Sequence, residues 1–333
     1  MAMRRSREYY NLQGLPDDPG IIAARESKVR KEIHESERDP EMEQVLAKID
    51  FEWLKHRFGR DLIHTDIDPN SLNFIPAEMF TVDRTLDHQG LYSVTDNHIL
   101  ANPDVLRNHA KRWQLPAELL WLWFVVHEEG HAVSKSDCTG MFGEEGDSPN
   151  YLLRRGYSLY HANDEDVSEE YDTYDILEEG LNEKRSRVIV LEYLQAHPDF
   201  VDRANTEKLK ALFADDHRHK VYDLEISLVE IMIDHLSRET GVSPQTVWQA
   251  MLRGKLEGED LARSDFQELA RQFFSEKFLE QLRTEVSDPN KPLQALPLLK
   301  ELNLTSVDPM LRRRIEARIQ AAQPPEEELG LAA

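Results

Sequence analysis

Residues 119–132 read Leu-Leu-Trp-Leu-Trp-Phe-Val-Val-His-Glu-Glu-Gly-His-Ala, so that an eight-residue apolar run leads directly into His127-Glu128-Glu129-Gly130-His131. Pro116 lies just before the run, where the first turn of a helix accepts proline most readily. Because apolar residues occupy every face of the run, the pattern predicts a helix that is buried on all sides. Burying the polar residues at its end costs several kcal/mol unless they are paired or bound to a metal.

The spacing of the two histidines is typical of a metal-binding helix. Residues i and i+4 share one face, so His127 and His131 can present both imidazoles to one ion. Glu128 lies beside the first histidine, where its carboxylate can reach a metal-bound water rather than the metal. In the HExxH arrangement zinc lowers the pKa of this water to about 7 and the glutamate takes the proton. The alternative is a coincidental polar end to a core helix.

A hydrolytic zinc also needs a third protein ligand and an open position. The candidate segment is Ile176-Leu177-Glu178-Glu179-Gly180-Leu181-Asn182-Glu183. On a helical wheel Glu179 and Glu183 fall on one apolar stripe, one turn apart, whereas Glu178 points elsewhere and is expected to be solvated. Zinc ligation by one glutamate, with a hydrogen bond from a ligating histidine to the other, accounts for both carboxylates. An acidic surface helix is the alternative. The wheel predicts a second apolar stripe made of Leu177, Leu181 and Val188.

These residues resemble the gluzincin branch of the zincin metallopeptidases, in which HExxH is followed on a later helix by a ligating glutamate. The His-Glu-x-Gly-His form, preceded by Gly90-Leu91-Tyr92 and by Ile99-x-x-Asn102, is similar to ImmA/IrrE-like and minimal gluzincin catalytic domains. The resemblance covers about residues 85–196. It implies a zincin fold, one zinc ion per chain and peptidase activity. On the Glu-Gly-Leu-Asn-Glu segment it implies zinc ligation by Glu179 and support by Glu183.

The chain as a whole is predicted to be an α+β protein with a zincin-like catalytic domain, a small antiparallel sheet and α-helical extensions. Residues 90–103 predict a hairpin that turns at Thr95-Asp96-Asn97, and residues 137–170 look like a loop. Helices are predicted over about 172–196, 206–213, 221–239, 244–254, 265–286 and 310–322. We expect an N-terminal arm with helices over 1–60, a zincin-like metalloprotease domain over 61–200, an α-helical C-terminal domain over 201–322 and a flexible acidic tail over 323–333.

Two further elements of a peptidase site have candidates. A tyrosine or histidine between the two glutamate-bearing segments can donate a hydrogen bond to the developing oxyanion, although ordinary packing is the alternative for each. These candidates are Tyr157, Tyr160, His161, Tyr171 and Tyr174. The second strand of the hairpin is predicted to be an edge strand at the rim of the cleft, where it can pair with an extended substrate. It consists of His98, Ile99, Leu100, Ala101 and Asn102.

The composition indicates which binding partners and which cellular compartment to expect. Acidic residues outnumber basic ones 63 to 40, for a net charge of −23, which argues against binding to nucleic acid or anionic membranes. The single Cys138 permits no internal disulfide and fits a reducing compartment. Neither a secretory signal nor an apolar run of about 20 residues is present, so we expect a cytoplasmic protein.

A peptide or protein is the expected substrate, and the oligomeric state stays open. The alternatives are a weakly active or inactive regulatory protein that contacts a protein partner through its helical domain, and a purely structural zinc.

Overall fold

The computed structural model describes residues 31, 38–64, 72–94, 97–141, 150–163, 171–172, 174–218, 220–258, 270–284, 294–302, 304 and 307–323. For residues 63–64, 137–141, 150–154, 159–163 and 171–172 it describes the backbone alone. Of the predicted N-terminal arm and helices over 1–60, residues 1–30 and 32–37 lie outside these ranges, as does the predicted tail over 323–333 from residue 324 onward.

The described residues form a mostly helical α+β structure. Its helices are Pro40–Leu46 (α1), Phe51–Arg60 (α2), Pro103–Trp113 (α3), Ala117–Ala132 (α4), Asp175–Ala196 (α5), Arg203–Ala214 (α6), Asp223–Thr240 (α7), Pro244–Glu257 (α8), Glu276–Thr284 (α9), Leu296–Glu301 (α10) and Pro309–Ala322 (α11). Its strands are Phe80–Val82 (β1), Gly90–Ser93 (β2), His98–Ala101 (β3), Ser136–Met141 (β4), Asn150–Arg155 (β5), Ser158–Asn163 (β6) and Tyr171–Asp172 (β7). Short 3₁₀ turns lie at Asp61–His64 and Ala77–Met79. Among the described helices, none has the length and apolar character that crossing a membrane requires.

The first sheet contains the predicted hairpin. Strands β2 and β3 pair in the antiparallel sense, with Tyr92 opposite Ile99, which confirms the hairpin. The expectation that this sheet is purely antiparallel is wrong, because β1 pairs with β3 in the parallel sense, Phe80 opposite Ile99. The strand order β1-β3-β2 makes β3 the central strand. The prediction that His98, Ile99, Leu100, Ala101 and Asn102 form an edge strand is therefore wrong as well, since both backbone edges of β3 are already paired.

The segment expected to be a loop forms a second sheet. Strands β4 to β7 pair in sequence order, each antiparallel to the next. Gly156 and Tyr157 alone separate the paired residues Arg155 and Ser158, and Gly156 has a left-handed φ of 59°. A glycine in the first position of a two-residue turn is typical of a tight hairpin. This turn is the sequence signal for the sheet, and the surrounding acidic and glycine-rich composition obscured it.

The helix α5 joins the two parts of the hydrophobic core. Its residues Ile189 and Val190 pack into a cluster with α1–α4 and the first sheet. Ile176 and Leu177, nearer its start, pack into a second cluster with the C-terminal helices. Val188, predicted to lie on a buried stripe, is 48% exposed, so that this part of the prediction is wrong. It faces a cavity instead of a neighbouring helix. The division into domains stays a prediction.

Gly180 gives a test of how α5 packs on α7. A Cβ atom at this position would lie 2.5 Å from the backbone oxygen of Glu225 in α7. We expect Gly180→Ala to lower the free energy of unfolding by about 1–3 kcal/mol, the usual cost of overpacking a buried contact. Without this overlap, alanine in a helix interior would instead stabilise the protein by about 0.5–1 kcal/mol. Urea unfolding decides between the two, and a stabilised variant would contradict the close helix crossing.

Candidate metal centre

Three of the predicted site residues come together between α4 and α5. His127 and His131 lie at the end of α4 and Glu179 lies near the start of α5. The Nε2 atoms of the two histidines are 3.2 Å apart, and each is 3.2 Å from Glu179 Oε2. All three side chains are buried. These residues, the metal triad below, can together hold a metal ion.

The metal triad fits zinc in both chemistry and dimensions. Donor atoms of a tetrahedral zinc lie about 2.0–2.1 Å from the ion, and hence about 3.3–3.4 Å from one another. The three observed separations of 3.2 Å are close to that value. Glu179 Oε1 accepts a hydrogen bond from Arg155 Nη2 at 2.9 Å, but the buried Oε2 atom has no hydrogen-bond partner. An unpartnered buried carboxylate oxygen that faces two imidazole nitrogens is compatible with a zinc site.

Glu183 holds the first histidine of the triad. The ring of His127 donates through Nδ1 to Glu183 Oε2 at 3.0 Å, which leaves Nε2 as the ligand atom. Glu183 also accepts from Trp123 Nε1 at 3.1 Å and from Arg187 Nε at 2.6 Å. Burial by itself lowers the pKa of His127, but the carboxylates of Glu179 and Glu183 beside its two ring nitrogens raise the pKa to about 10. Glu183 therefore contacts His127, whereas the sequence predicted support of a ligating histidine without specifying which one.

Glu178 performs the equivalent task for the second histidine, and the expectation that it is solvated is wrong. Its side chain is fully buried, and Oε1 lies 3.3 Å from His131 Nδ1. The buried Lys255 of α8 forms an ion pair with the same carboxylate, and the backbone N–H of Tyr157 donates to its other oxygen at 3.2 Å. Burial raises the pKa of Glu178, but the charge of Lys255 and the hydrogen bond with His131 outweigh it, and the pKa falls to about 2.

A buried amide fixes the register between α4 and α5. Asn182 Nδ2 donates to the backbone oxygen of His127 at 2.7 Å. A Cβ atom at Gly130 would overlap Asn182 Oδ1, so that only glycine allows this approach. Gly130 and Asn182, one from each of the two sequence motifs, therefore form a single contact between the helices.

The two glutamates between the histidines have different environments. Glu128 is 5% exposed, and burial raises its pKa to about 7. Glu129 is fully buried on another side of α4, and its Oε2 accepts from the backbone N–H of Ile75 at 3.1 Å. Burial raises the pKa of Glu129 well above its usual range. Glu128, whose pKa lies near 7, can exchange a proton near neutral pH.

Tyr222, immediately before α7, is a site residue that the sequence reasoning missed. Its ring stacks on the His127 imidazole with a centroid separation of 5.4 Å and an interplanar angle of 5°. Burial and the charges of Glu179 and Glu128 hold the pKa of its hydroxyl well above its usual value, so that it remains a donor. Its φ of 62° is left-handed, a conformation that non-glycine residues adopt mainly where the surroundings enforce it. No local motif marks this tyrosine, because it reaches the site from beyond α6.

Of the tyrosines proposed as oxyanion donors, the two whose side chains the structure describes pack in the C-terminal core. The Tyr157 hydroxyl donates to the backbone oxygen of Met251 at 2.7 Å within the C-terminal core, so that its proposed role is wrong. Tyr174 precedes α5, and its buried ring belongs to the same core cluster. The side chains of Tyr160, His161 and Tyr171 lie outside the described residues, and their roles stay predictions.

Comparison of the chain with protein-family models, with curated proteins and with solved structures finds no match. The gluzincin resemblance therefore rests on the sequence motifs alone, to which the structure adds that His127, His131 and Glu179 lie close together.

The different positions of Glu179 and Glu183 lead to a prediction about metal affinity. We expect the parent chain to bind about one zinc ion, and Glu179→Ala to weaken binding more than Glu183→Ala does. The loss of a carboxylate behind a histidine ligand typically costs only about 10–100-fold in affinity. His127→Ala and His131→Ala should abolish tight binding, because two ligands remain. Competition with a chromogenic chelator measures all four variants. If Glu183→Ala loses the metal while Glu179→Ala keeps it, the two roles are reversed.

The buried pair of Glu178 and Lys255 gives a second test. Lys255→Met leaves the Glu178 carboxylate buried without its cation, and should lower the free energy of unfolding by about 3–5 kcal/mol. Glu178→Gln in the same chain removes the stranded charge and should recover a large part of the loss. Urea unfolding of the parent, both single variants and the double variant measures the coupling. Additive effects of the two substitutions would contradict the ion pair.

Proposed function

We propose that this chain is a zinc-dependent endopeptidase with His127, His131 and Glu179 as metal ligands. The observation that carries the proposal is the buried triangle of two imidazole nitrogens and one carboxylate oxygen, each 3.2 Å from the other two. Three protein ligands leave one position of a tetrahedral ion open, as catalytic zinc sites do. The gluzincin resemblance of the two sequence segments favours the same class of enzyme.

Glu128 is the proposed general base. Bound zinc supplies a Lewis acid that makes a water molecule acidic enough to lose its proton near neutral pH. The Glu128 carboxylate accepts this proton as the water attacks the peptide carbonyl, and passes it to the nitrogen of the leaving amine. Its buried position, with a pKa of about 7, suits a group that must take and return a proton.

Tyr222 is the proposed donor to the carbonyl oxygen as that atom gains negative charge. Its ring lies against His127, and its hydroxyl remains protonated in the field of Glu179 and Glu128. A donor fixed by packing before the reaction stabilises the developing charge without reorganisation. The tyrosine thus takes the place for which the sequence offered only candidates between the two helices.

A second candidate function is a binding or regulatory protein that retains the metal triad without appreciable turnover. The burial of the site favours it, since His127, Glu128 and Glu179 are 7%, 5% and 5% exposed. A polypeptide substrate needs access to the open metal position, which such burial restricts. The two candidates make the same prediction for zinc content and differ in turnover of a peptide library.

Glu128→Gln and Tyr222→Phe separate these candidates. Glu128→Gln keeps the size of the side chain and removes the base, so hydrolysis should fall by at least ~10²-fold while zinc content and melting temperature stay at parental values. Tyr222→Phe removes one donor, so kcat should fall by about 10²–10³-fold with little change in KM.

The measurement uses a fluorogenic substrate that a peptide-library digest with the parent chain first identifies. Glu43→Gln, an exposed change in α1, serves as the matched control and should keep parental activity. Near-parental hydrolysis by Glu128→Gln would mean that another group is the base. A zinc-loaded parent that cleaves nothing across a broad library would favour the binding protein.

A further inference from the structure

A cavity of about 770 Å³ lies on the face of α5 that points away from the metal triad. Successive residues of a helix are about 100° apart, which puts Val188 opposite Glu179 on the wheel and Arg185 about 120° away from it. Helices α2, α7, α8 and α11 supply the other walls. The apolar part of the lining is Val188, Ile233, Pro244, Trp248, Leu252, Met310 and Leu311. The volume is in the range of sites for small molecules.

Arg185 places an incompletely paired guanidinium in the wall of this cavity. The side chain is 3% exposed, its Nε donates to Asp61 Oδ2 at 2.8 Å, and its guanidinium lies 4.6 Å from the centre of the Phe58 ring. Both terminal nitrogens, Nη1 and Nη2, are buried and have no hydrogen-bond partner. A buried charged donor without an acceptor costs free energy, and its persistence needs an explanation.

The neighbouring carboxylates do not supply the missing acceptor. Asp61 is shared, because its Oδ1 accepts from Arg57 Nη1 at 2.8 Å. Glu230 pairs with Lys184 at 2.7 Å and with Arg318 at 3.1 Å. The remaining acids of the lining are paired or capping: Glu192 with Arg57, Asp234 with Arg238, and Asp308 with the first N–H groups of α11. Arg185 Nη1 and Nη2 are thus two buried donors without a hydrogen-bond partner, on a residue of the cavity wall.

We propose that this cavity binds a small carboxylate with an apolar body, whose two oxygens accept from Arg185 Nη1 and Nη2. A planar guanidinium fork matches a carboxylate in a bidentate arrangement. The nearby Asp61 and Glu230 disfavour a doubly charged phosphate, whereas a carboxylate carries a single charge and has two oxygens for the two unpaired nitrogens of Arg185. The body of the ligand then lies against Val188, Trp248 and the other apolar residues of the wall. This proposal does not depend on peptidase activity.

Benzoate tests the proposal, with benzamide as its neutral counterpart and inorganic phosphate as a second anion. Titration calorimetry with the full chain at constant ionic strength should show saturable binding of benzoate. Benzamide should bind at least about tenfold more weakly, because it loses the charge-assisted pair. No binding of benzoate, equal binding of benzamide, or tighter binding of phosphate would overturn the carboxylate assignment.

Two substitutions locate the binding to this cavity. Arg185→Met removes the fork while Asp61 keeps Arg57 as its partner, and should abolish benzoate binding. Val188→Trp alters a side chain that is already 48% exposed and fills the cavity, so it should have the same effect even if Arg185→Met fails to fold. Val242→Trp is the matched control, since Val242 is 40% exposed and lies outside the cavity lining. Parental binding in the Val188→Trp variant would overturn the proposed location.

Discussion

Two buried hydrogen bonds between imidazoles and carboxylates determine how α4 and α5 lie together. His127 donates to Glu183, and His131 lies beside Glu178, with all four side chains buried. Because an unpaired buried charge costs several kcal/mol, α5 can shift neither along nor around its axis without breaking one of these pairs. The same register brings Glu179, between the two supporting glutamates in sequence, to within 3.2 Å of both Nε2 atoms. The metal triad is thus a consequence of the helix pairing, which Asn182 and Gly130 reinforce.

The counter-charges of this arrangement come from α5 itself and from the C-terminal helices. Arg187 connects Glu183 to Asp223 at the start of α7, with a distance of 2.8 Å from Nη1 to Oδ1, and Lys255 of α8 pairs with Glu178. Tyr222, which stacks on His127, also precedes α7. The region after residue 200 therefore contributes directly to the site, since Lys255 neutralises Glu178 and Asp223 pairs with Arg187, the cation beside Glu183. A segment that ends at the predicted boundary would leave Glu178 buried without its cation, which is strongly unfavourable.

Features that depend on local periodicity could be predicted from the sequence. The spacing of His127 and His131, the buried character of α4 and the hairpin before it are properties of short segments, and each matches the structure. The features that failed depend on partners distant in sequence. A helical wheel shows the direction of Glu178 on α5 but contains nothing about neighbouring helices. It therefore could not reveal that Lys255 of α8 packs against this side chain. Likewise, the hairpin gave no sign that Phe80–Val82 would pair with the free edge of β3 and make it the central strand.

Arg185 illustrates how α5 contributes side chains on two of its faces, one towards the metal triad and one towards the cavity. Stability alone does not require it, because an apolar residue would fill the space beside Phe58 and leave Asp61 paired with Arg57. A lysine could pair with Asp61, but its three donors radiate from one atom and cannot also present a planar fork. Arginine combines two features: Nε binds Asp61 and fastens α5 to the turn after α2, while both terminal nitrogens stay buried without a hydrogen-bond partner. Since rigid elements hold a site most accurately, this attachment at one face of α5 also helps to hold Glu179 at the other.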